Sequence, residues 1–121
     1  LSLHDALPIW KAFGKYLAEH QAIQFKIADM QTKIDAAQML ILRAAATDAE
    51  NPNYGTYAAE AKLYASKISV ECALEAIQIH GGYGYIKEYP VERFLRDSKI
   101  TEIYEGTSEV QRIVISRAVL K

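Results

Sequence analysis

The sequence predicts an all-α protein, an antiparallel bundle of about four helices, and three observations carry that expectation. Apolar residues recur at helical spacing over two long segments, and glycine and proline gather between segments. No stretch sustains the period-two alternation of a half-buried strand, so no sheet is expected. At 121 residues the chain has the size of one ordinary domain, and at 50% hydrophobic residues it can bury one core.

From Gln21 the apolar positions are Ile23, Ile27, Met30, Ile34, Ala37, Ile41 and Ala44, in alternating steps of four and three. This is the seam of a helix that faces another helix, with Lys26, Asp29, Lys33 and Asp35 on the outside. A helix over residues 18–48 would be roughly 45 Å long at about 1.5 Å per residue. "ENPNYG" (50–55) should end it, because Pro52 cannot continue a helix and Gly55 tolerates a turn. A second helix is expected over 56–80, with a stripe of Ala61, Ala65, Ile68, Cys72, Ala76 and Ile79 whose small members let two backbones approach. Gly81 and Gly82 stop it. Pro90 suits the first turn of a third helix over 90–100, with Glu92 near its positive end. Glu92 and Arg96, four residues apart, are expected to form a solvated ion pair of about 0.3–0.5 kcal/mol. Thr107 is the expected N-cap of a fourth helix over 107–120, with Ser108 and Glu109 in its first turn.

Composition excludes some functions. The 14 basic and 15 acidic residues are interspersed for a formal net charge of −1, which leaves no basic stripe for nucleic acid. No apolar run reaches the roughly 18 residues that would span a bilayer. The single cysteine, Cys72, has no internal disulfide partner. A reducing cytoplasmic setting fits. Within its alanine-rich pattern Cys72 reads as a small packing residue. His4, His20 and His80 lack metal-ligand spacing, so no metal site is expected.

Two stretches could carry chemistry. In "QIHGGYGY" (78–85), Gly82-x-Gly84 lacks the third glycine of a dinucleotide loop and follows a helix instead of a strand. It is either a helix stop with a turn, or bare backbone that a flat or phosphorylated ligand can approach. In "YEGTSE" (104–109), Glu105 stands between Tyr104 and Gly106, just before a helix. An acid there is favoured by the helix dipole alone. It would equally suit a general base on a short fixed segment, with an opening at Gly106 and N–H groups at Thr107 and Ser108 for a polar cofactor edge. The residues alone leave both readings open.

Taken together, "FGKYLAEHQAIQFKIADM", "QIHGGYGYIKEYPVERFLRDSKI" and "IYEGTSEVQRIVISR" resemble the C-terminal helical domain of the acyl-CoA dehydrogenase family. The likeness covers Lys11 to Lys121, with the three stretches in family order. It implies an FAD enzyme that converts an acyl-CoA thioester to the trans-2-enoyl-CoA. Glu105 would take the α-proton while the β-hydrogen leaves as hydride to the flavin, and the Glu105 backbone N–H would bond the thioester oxygen. Tyr104 and Gly106 would lie beside the substrate, and Arg117 near its CoA part. Thr107, Ser108 and Glu109 would contact the FAD of their own subunit. Gln78, Ile79, His80, Gly81 and Gly82 would lie against a neighbouring subunit's FAD, which Phe13, His20 and Gln21 would also approach. A homotetramer or homodimer follows, with an electron-transfer flavoprotein as acceptor.

Two departures from the family pattern stand out. Trp10 occupies the place of an arginine that contacts the FAD diphosphate, and an indole has neither its charge nor its fork of donors. "LSLHDALPI" shows no likeness, so residues 1–10 are expected to be a foreign leader before a domain at 11–121. The family's N-terminal helical domain, middle β-domain and first helix of the C-terminal domain have no counterpart in the sequence. The chain alone is therefore expected to be inactive, and acyl length and branching are not legible. The competing reading is a non-catalytic helical module whose Ile23–Ile41 seam binds a partner protein.

Overall fold

The alternating steps of four and three become one arm of a long antiparallel helix pair in the computed structural model, which describes Leu7 and residues 10–121. Helix α1 spans Gln21–Ala46 and α2 spans Tyr54–His80. A one-turn helix α3 (Gly82–Tyr85), then α4 (Val91–Lys99) and α5 (Ser108–Val119), complete the helical part. Single 3₁₀ turns at Leu17–Glu19 and Ile100–Glu102 precede α1 and follow α4. Helix α2 is the centre, and α1, α4 and α5 each pack against it.

The register of the pair is written in charge. Lys26 meets Glu75, Lys33 meets Glu71 at 2.8 Å, and Arg43 meets Glu60, so partners on α2 descend as those on α1 ascend. All six side chains are partly exposed, and each such pair contributes about 0–1 kcal/mol. Their use is alignment. The buried apolar residues are mostly alanines, Ala37 and Ala44 from α1 and Ala59, Ala61 and Ala73 from α2, joined by Ile68 and Ile79 of α2 and Val91 of α4. Alanine lets the backbones close, but the seam is only half covered, since Ile34 and Ile41 remain 45% and 47% exposed. Burial pushes the Cys72 thiol pKa up, in keeping with a packing residue.

Several boundaries differ from expectation, each for a local reason. Helix α1 ends at Ala46, six residues before Pro52, where the Thr47 hydroxyl donates to the Arg43 carbonyl at 2.6 Å. Gly55 lies in the first turn of α2 and not in the connecting turn. The segment after Gly81 (φ 63) is the one-turn α3, whose Gly84 has no room for a side chain: a Cβ there would come 2.6 Å from the Ile77 carbonyl oxygen. On α4 the ion pair formed is Arg93–Asp97 at 3.6 Å, while Glu92 and Arg96 turn toward a cleft they share with Ile77 and Leu95.

A two-stranded antiparallel hairpin, β1 (Lys11–Ala12) and β2 (Lys15–Tyr16), corrects the expectation of no strand. Strands of two residues are too short for a period-two signal. Phe13 (φ 52) and Gly14 (φ 78) form its turn, with positive φ at both central positions as the tightest hairpins require. Apart from Leu7 and Trp10, the segment expected to be a foreign leader lies outside the described residues.

Candidate active site

An open cleft of about 550 Å³ lies between Lys62, Ala65, Ser66 and Ser69 of α2 and the segment carrying Thr101, Tyr104 and Glu105. The chain reaches it through the 3₁₀ turn after α4, where the N–H groups of Ile103 and Tyr104 both donate to the Ile100 carbonyl at 3.0 Å. It then reverses at two residues of positive φ, Glu105 (53°) and Gly106 (96°). Thr107 returns to extended backbone and caps α5, its Oγ1 accepting from the Val110 N–H at 3.3 Å.

Glu105 is the anomaly. Left-handed backbone suits glycine and is tolerated by asparagine or aspartate, but at a longer side chain it costs about 1–3 kcal/mol. Strain of that kind persists only where neighbours over-determine it, and it gathers at functional sites. Here the neighbours hold the next carbonyl. The Gly106 oxygen accepts from Lys62 Nζ at 2.5 Å and from Gln111 Nε2 at 3.2 Å. Among the described residues the Glu105 backbone N–H donates to no acceptor, and the residue, itself exposed, borders the cleft.

At the start of α5 the Val110 N–H is taken by Thr107 Oγ1 and the Glu109 N–H faces its own carboxylate, which leaves the Thr107 and Ser108 N–H groups to receive a polar acceptor. The Glu109 carboxyl pKa is held below the ordinary range, first by its own backbone N–H and then by the Thr107 hydroxyl. The Ser108 hydroxyl donates to the Glu102 carbonyl at 3.4 Å, which ties α5 back to the 3₁₀ turn.

The other sequence-selected residues form a second group at one end of the helix pair. Because α1 and α2 are antiparallel, the start of α1 and the hairpin before it meet the end of α2. His20 caps α1, and its Nε2 donates to the Ala12 carbonyl at 2.7 Å. Gln21 and Gln78 are exposed, and Phe13, at the hairpin tip, is 98% exposed. Gly81 and Gly82 are exposed with open space around each, whereas Ile79 and His80 are buried. Trp10 packs on this end, edge-on to His80 at 5.2 Å and 5.1 Å from the Tyr83 ring. His80 Nδ1 donates to the Ala76 carbonyl at 2.7 Å, and its buried Nε2 has no partner among the described residues. Lys62 and His80 stand roughly 27 Å apart along α2, at about 1.5 Å per residue. Arg117, exposed near the end of α5, is separated from Ser108 by roughly 14 Å on the same measure.

Lys62 and Gln111 are the site residues that sequence reasoning missed. Lys62 is one lysine in an alanine-rich helix, and the carbonyl it holds lies 44 residues away, so no local spacing announces it.

An acid in left-handed backbone just before a helix N-terminus, beside a cleft in an α-helical scaffold, is an arrangement able to serve acid–base chemistry. Comparison with known proteins then supplies the family. A sequence profile described as acyl-CoA dehydrogenase, C-terminal domain, matches residues 5–120. An acyl-CoA dehydrogenase of Bacillus subtilis (strain 168) is 52% identical over 108 residues, 89% of this chain and 28% of its own length. The caffeyl-CoA reductase-Etf complex subunit CarC of Acetobacterium woodii is 54% identical over 111 residues, 92% of this chain and 29% of its own. The structure of butyryl-CoA dehydrogenase from Megasphaera elsdenii superposes with a TM-score of 0.93 at 45% identity, over 98% of this chain and 31% of that one. The chain belongs to the acyl-CoA dehydrogenase family and corresponds to its C-terminal domain, spanning less than a third of these relatives' length.

Proposed function

We propose that this chain provides the general base and part of the cofactor site of an FAD-dependent acyl-CoA dehydrogenase that oxidises the α,β bond of an acyl-CoA thioester. The observation that carries the reading is Glu105, a carboxylate kept in left-handed backbone at the rim of the cleft. A residue of that conformation fits a base better than a charge merely drawn to the helix dipole, because the dipole gives no reason to strain the backbone.

Glu105 takes the α-proton of the substrate. Its backbone N–H bonds the thioester oxygen and stabilises the enolate charge that develops as the proton leaves. Tyr104 and Gly106 border the substrate, and Arg117 lies toward the CoA part. FAD, when bound, supplies the acceptor for the β-hydride. Thr107, Ser108 and Glu109 hold the FAD of their own subunit, using the open first turn of α5.

Gln78, Gly81, Gly82, Phe13, His20 and Gln21 lie against the FAD of a neighbouring subunit, with Ile79 and His80 of the same stretch packed beneath them. The separation along α2 supports this division, since the two groups stand at different levels of one rigid helix. The open space around Gly81 and Gly82 fits close approach by such a ligand. A homodimer or homotetramer completes each site. A relative named for an Etf complex supports an electron-transfer flavoprotein as acceptor. Cytoplasm or mitochondrial matrix is the setting. The seam that a protein-binding module would offer is partly occupied already, since Ala37 and Ala44 are buried.

The test is Glu105→Gln in the full-length flavoprotein carrying this domain. Gln keeps the backbone N–H and nearly the same shape but removes the base. Anaerobic bleaching of the flavin by saturated acyl-CoA should slow by at least about 10²–10⁴-fold, with flavin retained. A rate within about threefold of the parent would remove Glu105 from the mechanism.

A further inference from the structure

We infer that Lys62 and Gln111 are positioning residues for the base, acting together on the Gly106 carbonyl to hold Glu105 in its productive backbone conformation. The inference rests on the reading of Glu105 as the base and adds what keeps it there. Three observations converge. Glu105 and Gly106 are consecutive residues of positive φ, a reversal that no helical or strand ladder supports. The carbonyl that follows them receives one donor from α2 and another from α5. The Gln111 amide stands close over Gly106: a Cβ there would lie 2.7 Å from Gln111 Nε2, so that this flexible side chain would have to shift.

The two donors are not equivalent. Lys62 Nζ at 2.5 Å makes a charge-assisted bond, the stronger kind, and reaches across from the central helix. Gln111 folds back over the start of its own helix at 3.2 Å. Between them they fix the carbonyl against rotation of the Glu105–Gly106 segment. Without them that segment could turn, and the carboxylate and N–H of Glu105 would turn with it. Lys62 and Gln111 need not touch the reacting atoms to matter, since a misplacement of about 1 Å can cost about 10²-fold in rate.

The experiment uses the full-length flavoprotein with Lys62→Met, Lys62→Arg, Gln111→Met, Glu105→Gln and the double variant Lys62→Met/Glu105→Gln. Flavin content, the Kd for acyl-CoA and the first-order bleaching rate at saturating acyl-CoA are measured for each. Lys62→Met should slow bleaching by about tenfold or more while flavin content and Kd stay at parental values. Lys62→Arg should recover most of the rate, because a guanidinium still donates. Gln111→Met should act in the same direction with a smaller effect. In the Glu105→Gln background Lys62→Met should slow bleaching by a clearly smaller factor than in the parent, since only the backbone N–H then remains to be positioned.

The inference is overturned if Lys62→Met bleaches within about threefold of the parent, or slows the Glu105→Gln protein by the same factor as the parent. It is also overturned if any loss of rate merely follows loss of flavin. Where Lys62→Met does not fold, Lys62→Arg and Gln111→Met decide on the same readouts. A Glu105→Gln protein that bleaches at the parental rate defeats the base assignment instead. Parental behaviour of Lys62→Met beside an inactive Glu105→Gln defeats only the positioning role.

Discussion

The proposal that Glu105 is a base rests on the backbone of that single residue. Sequence context already sets Glu105 apart from the other acidic residues, and its φ of 53°, with the Gly106 that follows at 96°, adds a conformational reason. Gly106 serves two ends at once: it adopts a conformation that L side chains rarely take, and it leaves room for the Gln111 amide. Gly106→Ala should therefore be costly in two ways. The strained φ alone costs about 1–3 kcal/mol. The new Cβ also pushes Gln111 off the carbonyl it holds, so the bond to Gly106 is lost with the space. Urea unfolding of the protein carrying this domain should show that loss of stability, together with weakened turnover. An unchanged unfolding midpoint would show that the turn is looser than its dihedrals imply. From sequence, the tripeptide Tyr104-Glu105-Gly106 could be singled out, but its strain could not, because φ depends on what holds the next carbonyl and that donor comes from a distant helix.

Among the helices and strands, the α1–α2 pair was the most legible part, because a seam in steps of four and three is a property of the sequence alone. Its ends were less so. Helix termini answer to local bonds such as that of Thr47 to the Arg43 carbonyl, and a two-residue strand leaves no period to detect. The cross-helix ion pairs escaped notice for a further reason, since residues paired across a hairpin share no spacing. These pairs make the hairpin sensitive to pH. The Glu71 carboxyl pKa is lowered, first by the hydrogen bond from Lys33 and also by its charge, against an opposing effect of burial. The Lys33 pKa is raised by the same partner. A lowered carboxyl contributes stability that is present above its ordinary pKa and lost as pH falls through the folded value. A raised ammonium contributes stability that is lost only as pH climbs past its own folded value. Amide protection along α1 and α2, taken relative to the intrinsic exchange rate at each pH, should accordingly fall below about pH 4.5, the ordinary carboxylate range. Lys33→Met should blunt that acid response while leaving protection near neutral pH little changed, since ion pairs between solvent-exposed side chains add little to stability. An acid response as steep in Lys33→Met as in the parent would assign it to other carboxylates.

Taken as a unit, what the chain buries and what it leaves exposed do not match a self-sufficient domain. Its buried apolar residues are mostly alanines, the smallest contributors to hydrophobic stabilisation. Meanwhile Ile34, Met39, Ile41 and Leu42 of α1 stand about half exposed, and Val119 and Leu120 at the end of α5 more so. α5 itself has no buried residue, although it packs against α2. Two clefts run along the exposed side of the pair, one bordered by Ile34, Ile41 and Ile68, the other by Ile41, Tyr54 and Ala58, and they share Ala65. A single monomer seldom leaves so continuous an apolar strip in water, and strips of this kind drive association. Prepared by itself, the 121-residue chain should therefore self-associate or unfold with low cooperativity. Multi-angle light scattering at tens of micromolar, followed by urea unfolding, would report both. Paired substitution of Ile34 and Ile41 by glutamate should reduce association, because like charges facing each other across such a strip oppose contact, while Ala37 and Ala44 beneath remain to join α1 to α2. A clean monomer with one sharp unfolding transition in the unsubstituted chain would mean that the alanine-rich packing around α2 suffices, and that the exposed strip is not needed to hold the domain together.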